Sequence, residues 1–84
     1  MEKLEYKFDY EKLFGRMKVY RYSQKALAQS IGISNGSMSV KLNGKPFSQN
    51  EIKSICRTLD IEDEEIASYF FKVNVQKTER KQIT

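Results

Sequence analysis

The sequence predicts a mainly α-helical domain of five helices, to which the two chain ends add a short two-stranded β element. Three observations carry this prediction. Asp9, Ser23, Ser34 and Ser48 each precede apolar residues at helical spacing, as side chains that cap helices do. An acidic run, Asp60 to Glu65, falls where a fifth helix should begin, and acids favour the amino end of a helix dipole. Leu4, Tyr6 and Phe8 near one end, and Phe71, Val73 and Val75 near the other, alternate with polar residues at the period of a half-buried strand. The 84 residues suffice for one domain and one small core.

The first helix opens at Asp9, with Phe8 and Leu13 placed as a hydrophobic staple. Tyr10, Leu13, Phe14, Met17 and Tyr20 follow at helical spacing and are expected to face the core. Ser23 caps a second helix from Gln24 to Ser30, whose inner face is Leu27, Ala28 and Ile31. Gly32 then offers the positive φ that a sharp helix-to-helix turn demands. Ser34 caps the third helix, and Ile33 staples onto Met38. Gly44 and Pro46 end it. Ser48 and Glu51 form a capping box, with Phe47 and Ile52 as a second staple, and Ile52, Ile55, Cys56 and Leu59 make the buried stripe of helix four. Ile66, Tyr69 and Phe70 are the apolar side of helix five. Residues 1–76 therefore read as one domain, and 77–84 as a polar, disordered tail.

The stretch 23–44, SQKALAQSIGISNGSMSVKLNG, organises the rest. On its own it is an αα-hairpin or a helix-turn-helix whose second helix enters the major groove of DNA. Gln24, Ala28, Gly32, Ile33, Met38 and Asn43-Gly44 match in order and spacing the helix-turn-helix of the lambda-repressor/Cro superfamily. The longer run, from about Asp9 to about Phe71, resembles a short phage-type group of Cro-like repressors. The resemblance implies a lambda-repressor-like five-helix domain that binds double-stranded DNA.

At 100° per residue, Met38 and Leu42 point inward, and Gly36, Val40 and Asn43 face out, flanked by Ser37 and Ser39. By resemblance, bases are read from Asn35, Gly36 and Val40, Gln24 positions a phosphate, and Asn43 and Lys45 meet the DNA backbone. Asn can bond the N6/N7 edge of adenine, and Val can pack on a thymine methyl; Gly36 has no side chain with which to read. Lys41 stands where relatives place a buried aliphatic residue. Either its stem packs while the ammonium reaches a phosphate, or the helix is rotated and Leu42 takes the buried role. The expected contact set is thus Gln24, Ser34, Asn35, Gly36, Ser37, Ser39, Val40, Lys41, Asn43 and Lys45.

Charge is distributed in blocks. From Lys12 to Asn50 the basic residues Lys12, Arg16, Lys18, Arg21, Lys25, Lys41 and Lys45 meet no acid, whereas Glu51 to Glu65 is acidic, within a net charge of +4. Such a split gives one face fit for phosphates and another that repels them. With no His, one Cys and no Gly-rich phosphate loop, neither a His-based triad nor a common Cys/His zinc set can be assembled, so an enzyme is not expected, nor a metal, cofactor or small-molecule substrate. The lone Cys56 suits a reducing compartment. No apolar run approaches the ~20 residues that span a bilayer, and MEKLEYKF lacks the apolar region of a signal peptide. A cytoplasmic location and no membrane partner are expected.

These readings converge on a sequence-specific repressor at a pseudo-palindromic operator. The alternatives are a protein-interaction module on the same fold, such as a repressor antagonist, and non-specific nucleic-acid binding. A repressor of this kind needs a dimer, for which Tyr69, Phe70, Phe71, Val73 and Val75 are the candidate surface. Pairing of the terminal strands within one chain, favoured by their matched lengths, leaves a homodimer weak in solution that forms on DNA; pairing between chains makes it stable.

Overall fold

A computed structural model describes residues 4–77 of the chain. The order is β1 (Leu4–Phe8), α1 (Glu11–Val19), α2 (Gln24–Ile31), α3 (Asn35–Leu42), α4 (Gln49–Leu59), a 3-10 turn (Asp63–Glu65), α5 (Ile66–Phe70) and β2 (Val73–Lys77). The five helices and the strand pair are those the sequence predicts. β1 and β2 run antiparallel, with Phe8 opposite Val73, Tyr6 opposite Val75 and Leu4 opposite Lys77, so the ends pair within the chain. β2 extends to Lys77, and the remainder of the expected tail, 78–84, lies outside the described residues.

Local chemistry explains most helix boundaries. The Ser23 hydroxyl accepts the Ala26 N–H, Ser34 accepts that of Ser37, and Ser48 with Glu51 closes both bonds of a capping box. Gly32, at φ +81°, ends α2 in the left-handed conformation. Helix α1 starts later than expected: its cap position is Tyr10, and the Asp9 carboxylate instead accepts the Glu11 N–H at 3.0 Å and pairs with Lys72.

Leu13, Leu27, Met38, Ile55, Leu59 and Phe70 are the largest fully enclosed side chains, and every buried residue of the core is apolar or aromatic. An aromatic series lines one side, Phe71 edge-on to Phe8, Phe8 stacked on Tyr10, Tyr10 edge-on to Phe47 and Phe47 edge-on to Phe70. Two expected core residues are not in it. Phe14 is 47% and Tyr20 39% exposed, because α1 buries only the stripe of Tyr10, Leu13 and Met17, and Phe14 is turned about 100° from Leu13. Tyr20 lies under the Arg16 guanidinium.

The fifth helix is also shorter than its acidic prelude suggests. Asp60 closes α4 at φ +55°, its neighbour Ile61 N–H bonding the Cys56 carbonyl, and Ile61 joins the core. Arg16 seals this end by donating to the carbonyls of Leu59 and Asp60. A cation at a helix carboxyl end complements the dipole as well as filling orphan acceptors. Cys56 is buried, and that burial, then Asp63, pushes its thiol pKa up.

Candidate functional site

The turn Gly32–Ile33–Ser34 sets α3 across α2, and the Gly44–Phe47 segment carries the chain away from its far end. Met38 and Leu42 anchor α3 in the core, as the 100° count requires. Ser34, Asn35, Gly36, Ser37, Val40, Asn43 and Lys45 are exposed, Ser39 and Lys41 half-buried. Gln24 is half-buried at the start of α2, and its amide donates to the Asn35 side-chain oxygen at 2.9 Å. The two helix starts are thereby tied together, with Asn35 still exposed.

At Lys41 the structure takes something from both alternatives: Leu42 has the buried role, and Lys41 is half-buried with its ammonium directed to a carboxylate. The Lys41 ammonium reaches the Glu51 carboxylate at 3.1 Å and lies 5.9 Å from the centre of the Phe47 ring. Burial acts to raise the Glu51 pKa, but the Ser48 N–H and the neighbouring Lys41 outweigh it and hold the carboxyl below its usual value. One oxygen of Glu51 thus serves both the cap of α4 and the cation of α3. The sequence signals Glu51 only as a cap residue; a cation leaning toward the core is the hint that a counter-ion must be near.

Two further residues shape the surface. The Tyr10 hydroxyl donates to the Lys45 carbonyl at 2.6 Å, and the Phe8 N–H to that of Gly44 at 3.1 Å, so β1 holds the segment that follows α3. Gly44, at φ +120°, sits beneath the aliphatic stem of Lys7, which would lie 3.1 Å from a Cβ there. Val40 is 56% exposed. Beside it a shallow hollow of about 400 Å³ is lined by Gly36, Ser37, Val40, Lys41 and Lys45. Among the described residues, no group of three or more His, Cys, Asp or Glu side chains is placed to hold a metal ion, and no helix is long and apolar enough to cross a membrane.

Fold and surface define a small helical domain that presents one short helix, small-residued and framed by cations, at its exterior. Residues 6–73 match the family described as "Protein of unknown function (DUF739)", and the chain belongs to that family. It is also similar to a phage regulatory protein, the modulator of repression (MOR) of the temperate bacteriophage TP901-1 from Lactococcus lactis, whose solution structure superposes with a TM-score of 0.66 at 30% identity over 77% of this chain and 89% of that one. Among curated protein sequences none matches significantly.

Proposed function

We propose that this chain is a phage regulator that acts through protein contact, modulating a repressor instead of occupying an operator itself. The likeness to a modulator of repression carries the reading. The chemistry of α3 supports it. The second position of that helix is Gly36, which has no side chain to offer a base edge. The Lys41 ammonium is engaged by Glu51, and that carboxylate stands where a phosphate would need to approach.

Direct DNA binding of the Cro-like kind is the second reading. The Gln24–Asn35 bond favours it, because it holds an amide at the helix start in one orientation, as base readout requires. The acid-free stretch from Lys12 to Asn50 favours it as well. In this reading Gln24, Asn35, Val40, Asn43 and Lys45 meet a duplex and the protein dimerises on it.

A reporter under a phage promoter separates the two. Expressed with the phage's repressor, the chain should change promoter output, and expressed alone it should change nothing. Repression by the chain alone, together with an inverted repeat enriched from a random duplex pool, would establish the DNA reading instead.

A further inference from the structure

We infer that α3, the segment after it and the adjacent end of the β-ribbon form one docking surface for an acidic segment of a partner protein that carries a single apolar anchor. The inference rests on the protein-contact reading above and supplies the chemistry of the partner.

Charge is the first support. No acid occurs between Lys12 and Asn50, the stretch that holds Lys45, and neither Lys45 nor Lys7, which lies outside that stretch between Glu5 and Asp9, has an ion-pair partner among the described residues. The two belong to one locality, since the Lys7 stem crosses Gly44, the residue before Lys45. Both are exposed, and their backbones are fixed by the bonds from Tyr10 and Phe8. A partner carboxylate therefore meets cations carried on an already ordered backbone, so no loop has to be ordered on binding. A basic segment is repelled by the same residues.

Shape is the second support. Val40 stands exposed at the hollow lined by Gly36, Ser37, Lys41 and Lys45, and Gly36 has only the Ser34 hydroxyl near the place of a Cβ, at 3.9 Å. An apolar side chain entering beside Val40 would cover it, while a partner backbone could approach over Gly36 and Ser37 without meeting long side chains. A nucleic acid makes poorer use of this surface, since the Gly36 position has no side chain with which to read a base edge. A partner carboxylate would also compete with Glu51 for Lys41, so Glu51 tempers the affinity of the site.

The test is selection of binders from a random 16-residue peptide library on the full chain. Parallel selections use a Lys7→Glu/Lys45→Glu variant and a Glu51→Gln variant, each first shown to melt cooperatively near the parent temperature. Enriched peptides should be rich in Asp and Glu around one aliphatic or aromatic residue. The charge-reversed variant should bind them about tenfold more weakly, the scale of two exposed ion pairs lost and reversed, and Glu51→Gln should bind them more tightly. Basic or uncharged winners, equal binding by the charge-reversed variant, or no enrichment overturns the proposal, as does displacement of the peptides by duplex DNA carrying an enriched site. Failure of the functional reading looks different. If the parent leaves repression unchanged yet acidic peptides bind as described, the surface stands without that function. If the charge-reversed variant modulates repression as well as the parent, the function stands and this surface does not.

Discussion

The Tyr10 hydroxyl and the Lys45 carbonyl, 35 residues apart in the chain, are joined by a 2.6 Å hydrogen bond. Tyr10 is only 2% exposed, and its ring lies between Phe8 and Phe47. The bond ties the start of α1 to the segment that leaves α3, so the α3 surface is braced from the far side of the core.

Tyr10→Phe keeps the ring and removes the bond. It should cost about 1 kcal/mol and lower the melting temperature by roughly 4–8 °C, with faster amide exchange around Lys45. The pH dependence adds a second readout. Burial pushes the Tyr10 pKa up to about 12 from 10.0. The unfolded chain then loses this proton first, so stability is fully present below pH 10 and declines as pH rises toward 12. The Phe variant should lack this share of the alkaline decline; an identical decline in both proteins would place the titrating group elsewhere.

Two glycines should respond with opposite signs. Gly44 combines φ +120° with the Lys7 stem 3.1 Å from the place of a Cβ, and Gly44→Ala should destabilise by about 1–3 kcal/mol. Trimming Lys7 to Ala in that background should restore only part of the loss, because the backbone strain remains. Gly15, inside α1 with nothing within 4 Å of a new Cβ, should gain about 0.5–1 kcal/mol on change to Ala. Urea midpoints compare the pair; equal signs would contradict the geometry.

Glu51→Gln probes the carboxylate shared by Ser48 and Lys41. The carboxyl is held below its usual 4.5, so its ionised form favours the folded state. That stability is present above pH 4.5 and is lost as pH falls through the lowered folded value. Gln can still close the capping box, so the variant should fold, be somewhat less stable at pH 7, and show a flatter loss of stability between pH 5 and pH 3 than the parent. Parallel acid titrations by circular dichroism measure this, and superimposable curves would remove Glu51 from the acid response.

Much of the domain was legible because its signals act over a few residues. Ser23, Ser34 and the Ser48–Glu51 box bond to amides within three positions, and the stripe of Ile52, Ile55, Cys56 and Leu59 follows from helical period alone. The outward face of α3 was legible for the same reason, since Met38 and Leu42 settle its rotation. Helix α1 was read less well. Its apolar residues exceed the width of the stripe that its neighbours cover, and nothing local says that Phe14 and Tyr20 are the surplus. The candidate dimer surface was overfull too, because Tyr69 and Phe70 are consumed by the chain's own core, leaving Phe71 and Val73 exposed.

By itself, then, the sequence determined the helices, the caps of α2, α3 and α4, the strand character of the two ends and which side of α3 faces out, all consequences of period, propensity and contacts within one turn or one strand length. Only the tertiary structure decided what that outward side offers. Lys41 meets Glu51 across a ten-residue gap, Tyr10 meets Lys45 across 35, and Lys7 comes to lie on Gly44. Such partners depend on where the chain returns in space, which local periodicity does not encode, and they brace the outward side of α3 and pair one of its cations.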